Sequence, residues 1–337
     1  MFAAFEEGQD VKPLPQLCTE LLSEQKETWR DLKHGYESLK DTKVREITCN
    51  GFSVRVQRNP GRIRSTLADV GETSVNERPC FLCLSNLPED QKGVLYREKF
   101  LVLCNPMPVF SGHFTIAHIV HQPQTILEHI DTFLQLMTDF GSNWSILYNG
   151  PRCGASAPDH LHFQAIPSGN MPIEKEITDE KRRIQIVHID GVQVLRVEDL
   201  GRELIIIEGN DPARMADVFK QIVAELKKVC NTNNEPMMSI IGSHDGEKWR
   251  LLVFPRAKHR PDAFFREGDA QVIVSPAVIE MGGVLVTPIE RDFERLNASA
   301  VENIFEEVSL KGEIVQNVID AVAGSLHNSN SQPPPSN

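Results

Sequence analysis

The chain has 337 residues, of which 40% are hydrophobic and 24% charged, and its formal net charge is −12. This composition is typical of a globular protein with a sizeable core, in two domains or one enlarged one. The acidic balance argues against non-specific binding to nucleic acid or anionic membranes, although a local pocket can still be basic. No apolar run approaches the ~18 residues of a membrane-spanning helix.

The N-terminus and the cysteines bear on the cellular compartment. The first residues, MFAAFEEGQDVKPLP, lack the basic-then-apolar pattern of a signal peptide. The seven cysteines are an odd number without the spacing of a disulfide framework, which favours reduced thiols. We therefore predict a cytoplasmic protein that binds neither nucleic acid nor a membrane.

The chain begins with predicted helices and a β-hairpin. Apolar residues recur at helical spacing over residues 13–40, which predicts one or two helices packed on the body. Residues 44–48 and 52–57 alternate around an Asn-Gly pair, which is typical of a hairpin turn. The polar loop that follows carries Arg62 and Arg64. These arginines are either solvated or, because a guanidinium suits bidentate recognition of phosphate, contacts for a ligand.

Cys80 and Cys83 form a CxxC pair in the next segment. A thioredoxin-like redox site would need a strand before this pair and a helix after it, and the flanking residues predict neither. The other interpretation is zinc, which takes four ligands in a structural site, so two more would have to come from elsewhere in the chain.

Short predicted strands and one helix lead to the central motif. Strands are predicted at residues 94–96, 100–104, 114–118 and 144–148, and an amphipathic helix at 126–140. A Pro-rich segment from Asn105 to His113 lies between the second and third of these strands and is typical of a turn. We interpret His113 as a packing residue at a strand start.

His160, His162 and Gln164 alternate along the segment HLHFQ and would share one face of a strand. Leu161 and Phe163 would point the other way, into a core. One interpretation is an amphipathic strand with a solvated polar face. The other is a site in which each polar group has a role, since burying three of them without partners is costly.

The loop before this motif contains candidate anion-binding residues. Glycine lets backbone N–H groups approach a phosphate closely, and serine and asparagine add neutral donors. The candidates are Asn149, Gly154 and Ser156. Asp159, directly before His160, is either solvated or an acceptor that orients a histidine.

Beyond the motif, residues 168–182 are polar and predict a linker, followed by a second α+β unit at 183–326 that includes a strand at 270–275. Residues 327–337 are predicted to be disordered. Arg256, Lys258, His259 and Arg260 are the densest basic cluster. They form either a solvated loop or a phosphate- or sugar-phosphate-binding loop, since cations this close repel unless an anion lies among them.

HLHFQ resembles the His-x-His-x-Gln motif of the transferase branch of the histidine-triad superfamily, which includes galactose-1-phosphate uridylyltransferase and the diadenosine-tetraphosphate phosphorylases. HLHFQA is similar to the GDP-hexose phosphorylases, and NGPRCGASAPDHLHFQ to a bacterial branch near them. The resemblance covers residues 78–167 by motif and 168–287 by architecture. It implies an α+β fold of tandem histidine-triad-like domains at 44–167 and 183–326, with antiparallel sheets, flanking helices and a helical segment at 1–43.

The resemblance also implies residue roles. His162 would be the nucleophile that becomes nucleotidylated. Gln164 stands where the hydrolase branch has a third histidine, and because an amide cannot move protons, a phosphorylated acceptor should be favoured over water. Asp159 occupies a position where the family commonly has proline, which shifts Ser156 by one residue. The expected substrate contacts are Asn105, Asn149, Gly154, Ser156, Arg62, Arg64, Lys258 and Arg260.

Zinc-bearing members of the family have a CxxC pair, a downstream histidine and the first histidine of the motif. The matching residues are Cys80, Cys83, His121 and His160, with His118 as the rival for the third position. Two cysteines and two histidines form a closed set, so the resemblance implies a structural Zn²⁺.

The function predicted from the resemblance is nucleotidyl transfer through a covalent nucleotidyl-histidine intermediate, with phosphorolysis of a GDP-hexose as the best match. Its partners would be a nucleotide sugar or dinucleotide and phosphate, and a homodimer is left open. The alternatives are a diadenosine polyphosphate phosphorylase, a UDP-sugar uridylyltransferase, and a non-catalytic, zinc-stabilised nucleotide-binding protein.

Overall fold

A computed structural model of the chain describes residues 1–6, 12–68, 71–189 and 191–329. Within these residues the strands are β1 (Ala3–Phe5), β2 (Lys43–Thr48), β3 (Ser53–Arg58), β4 (Gly93–Tyr96), β5 (Phe100–Cys104), β6 (Phe114–His118), β7 (Trp144–Asn149), β8 (His162–Pro167), β9 (Arg183–Ile189), β10 (Val192–Val197), β11 (Ile205–Gly209), β12 (Met238–His244), β13 (Trp249–Pro255) and β14 (Val284–Thr287). The α-helices are α1 (Leu14–Thr28), α2 (Arg30–Lys40), α3 (Ile63–Thr66), α4 (Glu72–Glu77), α5 (Ile130–Phe140), α6 (Pro172–Glu176), α7 (Pro212–Val229), α8 (Val278–Met281), α9 (Glu290–Arg295), α10 (Ala298–Val308) and α11 (Gly312–Ser329). Helix α11 therefore includes the start of the predicted tail, and residues 330–337 lie outside the described residues.

Eleven strands of the described chain form one continuous sheet, in the order β1-β4-β5-β6-β8-β7-β12-β13-β11-β10-β9. Counted outward from the central β7–β12 pair, both halves repeat one connectivity: β7, β8, β6, β5, β4 on one side and β12, β13, β11, β10, β9 on the other. In each half one helix, α5 or α7, connects the third strand of this order to the first. The tandem α+β fold that the resemblance implies is confirmed. Strand β13, the counterpart of β8, contains no histidine.

Both faces of the large sheet are covered. Since successive side chains of a strand point to opposite sides, neighbouring residues of one strand pack into two different cores. On β7, Ile146 and Tyr148 pack into a core under α1, α5, α7 and α11. Leu147 packs on the other face, in a core under the small sheet β14-β3-β2 and helices α6, α8, α9 and α10. None of the described helices combines the length and apolarity that crossing a bilayer requires.

Two segments differ from the sequence-based expectation. Residues 168–182, predicted as a polar linker, contain α6 and bury Met171, Ile173 and Ile177 in the second core. The strand predicted at 270–275 is wrong. Ile273 and Val274 are buried, but the Ile273 N–H donates to Asp292 Oδ2 at 2.7 Å, and the segment pairs with no strand among the described residues.

Candidate active site

Gln124 fixes the backbone of β8 at His162, the first residue of the strand. The His162 N–H donates to Gln124 Oε1 at 2.7 Å, while Gln124 Nε2 donates to the carbonyls of His162 (3.0 Å) and Asn149 (2.9 Å). The β7–β8 ladder ends at the pair Leu147 and Gln164, so this buried amide bridges the strands where they diverge. No motif in the sequence marks Gln124, because this residue acts through backbone contacts.

The His162 imidazole is held in one tautomer. Its Nδ1 lies 2.8 Å from the backbone oxygen of His160. A carbonyl only accepts, so Nδ1 carries the proton and Nε2 keeps its lone pair, with no hydrogen-bond partner among the described residues. Burial lowers the pKa of His162 to about 4, which leaves the ring neutral at pH 7. A neutral imidazole with a free nitrogen suits nucleophilic attack.

Gln164 is oriented by His113. His113 Nδ1 accepts from the Val109 N–H at 3.3 Å, so His113 carries its proton on Nε2 and donates it to Gln164 Oε1 at 2.7 Å. Burial, and secondarily the Arg62 charge, lower the pKa of His113 to about 4, so the neutral tautomer persists at pH 7. Because its oxygen is occupied, the Gln164 amide presents its NH₂ group as a donor. The sequence pattern predicts only a packing role for His113, and its hydrogen bond to Gln164 is seen in the structure alone.

A cavity of about 280 Å³ lies in front of His162. A second cavity of about 40 Å³ adjoins it, sharing Arg62, Gly154 and Ser156 and adding His259 and Arg260. The larger cavity brings together seven of the predicted site residues: His162, Gln164, Asn105, Asn149, Gly154, Ser156 and Arg62.

Arg64 and Lys258, by contrast, line neither cavity. Arg64 is exposed on α3. Lys258 Nζ is held away by Asp262 at 2.6 Å and Glu307 at 2.9 Å. Their predicted substrate contacts have no support in the geometry, because local ion pairing satisfies the lysine and solvent reaches the arginine.

The second half of the chain closes one wall of the larger cavity. Asn149 Oδ1 accepts from the Val278 N–H at 2.7 Å, which leaves Asn149 Nδ2 as a donor. Gly154 has φ +94°, and a Cβ there would lie 2.6 Å from the Cβ of Ala277. The loop before β8 therefore packs against the start of α8 too closely for a larger residue. Nothing in the sequence around residues 277–280 signals this contribution.

The predicted metal ligands converge next to the cavity. Cys80 Sγ lies 3.3 Å from His160 Nδ1, and Cys83 Sγ lies 3.2 Å from His121 Nδ1 and 3.6 Å from His160 Nδ1. All four ligand atoms lie within 4.8 Å of one another. A tetrahedral zinc with Zn–S of about 2.3 Å and Zn–N of about 2.0 Å has S···N edges of about 3.5 Å, so the set fits this ion.

Groups behind the ligands favour the same assignment. His160 Nε2 donates to the His118 carbonyl at 2.7 Å, which directs His160 Nδ1 toward the cysteines. Asp159 Oδ2 lies 3.6 Å from His121 Nε2, close enough to orient that ring. The rival ligand His118 turns its Nδ1 to the backbone of Val120, 3.1 Å from the Val120 nitrogen. His121 is therefore the better third ligand.

Comparisons with known proteins extend this description. A model of a domain of unknown function, DUF4922, matches residues 21–167, and a model described as "GDPGP1-like, C-terminal domain" matches residues 170–329. GDP-L-galactose phosphorylase 2 of Arabidopsis thaliana is 28% identical over 244 residues, which are 67% of this chain and 53% of that protein. The chain thus spans about half the length of this curated relative.

Solved structures share the fold over nearly the whole chain. Yeast Ap4A phosphorylase Apa2 in complex with Ap4A superposes with a TM-score of 0.62 at 12% identity, covering 90% of this chain and 99% of that one. The complex with AMP gives 0.60 at 12% identity, covering 89% and 97%. The chain is thus similar in sequence to a GDP-L-galactose phosphorylase and shares the fold of an Ap4A phosphorylase. Both similarities agree with the resemblance that the HLHFQ segment indicated.

Proposed function

We propose that this histidine-triad relative transfers a nucleotidyl group through a covalent bond to His162, and that it phosphorolyses a nucleoside-diphosphate hexose, with GDP-hexose preferred. The observation that carries the proposal is the arrangement at β8. His162 Nδ1 donates to the His160 carbonyl, and this leaves Nε2 free at a cavity whose other polar groups are mostly neutral donors. The homology to a GDP-L-galactose phosphorylase supports the choice of substrate.

The reaction divides into two displacements. Nε2 of His162 attacks the α-phosphorus, a P–N bond forms, and the P–O bond to hexose 1-phosphate breaks. An oxygen of inorganic phosphate then attacks the same phosphorus, the P–N bond breaks, and a nucleoside diphosphate leaves. The amide groups of Gln164 and Asn149 and the Arg62 guanidinium would stabilise charge on the α-phosphate oxygens in both steps. Because Gln164 cannot remove a proton from water, hydrolysis should be slow.

We also propose that Cys80, Cys83, His121 and His160 hold a structural Zn²⁺. Such an ion would supply no chemistry to the substrate, since all four of its positions are taken by protein. The four residues would fix the chain at His160, two residues before the nucleophile His162.

Intact-mass spectrometry tests the covalent step. Enzyme mixed with GDP-glucose and no phosphate should gain the mass of one GMP group, and the adduct should map to His162. His162→Ala should form no adduct while staying folded and retaining its metal, whereas the matched variant His160→Ala should lose metal. An adduct on another residue, or unchanged turnover in His162→Ala, contradicts the mechanism.

The same assay, run with phosphate, separates the alternatives. GDP-, UDP- and ADP-glucose and Ap4A are offered in parallel, the last because the yeast structural relatives act on it. Turnover of Ap4A alone indicates a dinucleotide phosphorylase. Binding of nucleotide without an adduct or products indicates a non-catalytic protein.

A further inference from the structure

Two polar side chains at the edge of the larger cavity have no role in the proposed chemistry. Asp31, from the first turn of α2, and Gln91, from the segment before β4, both line the cavity. Within the described ranges of the chain, neither the Asp31 carboxylate nor the Gln91 side-chain amide has a hydrogen bond or an ion pair. Trp29, Leu87 and Leu103 are apolar residues of the same lining.

The strand register places this apolar region away from the nucleophile. Leu103 on β5 pairs with Thr115 on β6, which pairs with Gln164 on β8. Two strand spacings therefore separate Leu103 from Gln164, about 10 Å, which is the scale of a nucleoside. Gln25 of α1 fixes the N-terminal helices to the same side, because its Nε2 donates to the Asp90 carbonyl at 3.0 Å, next to Gln91.

The negative charge of the Asp31 carboxylate limits which part of a bound nucleotide it can contact. The polar end of the cavity, with Arg62 and the neutral donors near His162, suits phosphates, and a carboxylate there would repel them. The other carboxylate of the lining, Glu280, accepts from the Ala277 N–H at 2.9 Å and is engaged within α8. Asp31 has no such partner. Asp31 is exposed and lies two residues after Trp29, which also lines the cavity, so we place it at the apolar end, where the base of a bound nucleotide would lie.

We propose that Asp31 selects guanine, with Gln91 beside it. A carboxylate only accepts hydrogen bonds, through two adjacent oxygens. Guanine offers two adjacent donors, N1–H and the 2-amino group, whereas adenine and uracil offer one donor next to acceptors. The inference rests on the proposed function, since it takes the cavity to hold the nucleotide. It assigns base specificity to the N-terminal helices and not to the catalytic motif.

Binding of nucleoside monophosphates tests this without any need for turnover. Isothermal calorimetry with GMP, IMP and AMP separates the contribution of the 2-amino group, which IMP lacks. Wild type should bind GMP at least 10-fold more tightly than IMP or AMP. Asp31→Asn should reduce the GMP-to-IMP ratio to within about 3-fold while leaving AMP binding unchanged within about 2-fold.

Asp131→Asn is the matched control, because Asp131 also lies in the first turn of a helix, α5, and is absent from the cavity lining. Asp131→Asn should keep the wild-type ratio of GMP to IMP affinity. This result would separate base recognition from an effect of charge at a helix end. Equal binding of GMP and AMP by wild type, or an unchanged ratio in Asp31→Asn, overturns the inference. In either case an adduct on His162 would still support the proposed nucleotidyl transfer, although equal binding of GMP and AMP would remove its preference for GDP-hexose. Absence of binding of any monophosphate together with absence of an adduct would overturn both.

Discussion

At the scale of single residues, the site depends on two histidines that burial keeps neutral. The pKa values of His162 and His113 are both lowered to about 4, with desolvation as the largest cause. Each ring then has one donor and one acceptor nitrogen, and its backbone contact decides which is which. One histidine presents a lone pair to the cavity, and the other presents a proton to Gln164.

His113→Ala tests whether His113 positions Gln164. Without the Nε2–H donor, the amide of Gln164 is free to rotate, so its NH₂ group is no longer aimed at the cavity. The single-turnover rate of adduct formation should fall about 10- to 100-fold, with a much smaller change in KM. His244→Ala is the control, since His244 is also buried but lines neither of the cavities at the site. Equal rates of adduct formation in the two variants would show that His113 acts only in packing.

At the scale of elements, the four proposed metal ligands lie on three separate segments of the chain. Cys80 and Cys83 lie on a turn closed by a 3.2 Å hydrogen bond between their backbones, His121 follows β6, and His160 precedes β8. Only a small cluster of apolar residues packs here, formed by Cys80, Leu82, Ala117 and Ala157. A metal would therefore contribute much of the local stability.

Metal analysis of the purified protein should find about one zinc per chain. Cys80→Ser should lose this metal and lower the melting temperature by about 10 °C, because the free energy of metal binding adds to that of folding. Cys230→Ser is the control, since Cys230 is exposed and outside the cluster. A wild-type protein that is fully folded without metal would refute the assignment.

Elements whose signal is local could be predicted from the sequence. The hairpin at residues 44–57 forms around its Asn-Gly pair, and helices occupy most of residues 13–40, as their periodicity indicates. The segment at 270–275 failed because apolar β-branched residues indicate burial but not a hydrogen-bonded neighbour, and Asp292 supplies the partner instead. The same holds for the site. The HLHFQ motif identified His162 and Gln164, whereas His113 and Gln124 lie outside the strands and act through tertiary contacts that no local pattern marks.

At the scale of the molecule, the central β7–β12 pair makes one sheet of two repeats, and the cavity depends on both. The first repeat provides His162 and the loop before it. The second has no histidine on β13, but its α8 contacts Asn149 and Gly154 and closes the cavity. Because both repeats are covered by shared cores, separating them would expose both large clusters of buried residues.

Glu235, three residues before β12, joins the repeats and makes their stability depend on pH. It accepts from Tyr148 Oη at 2.5 Å and from the Ile126 N–H at 2.7 Å, both in the first repeat. Burial raises the pKa of Glu235 to about 7, from 4.5. The folded protein thus holds a proton that the unfolded chain releases above pH 4.5, so this contribution to stability is present at low pH and is lost as the pH rises through 7.

Between pH 5.5 and 8.5 the loss should be about 2 kcal/mol in urea unfolding. Glu235→Gln, which keeps the shape and cannot ionise, should remove this part of the pH dependence, whereas exposed Glu267→Gln should not. Equal pH dependence in wild type and Glu235→Gln would show that the carboxyl is ionised when folded.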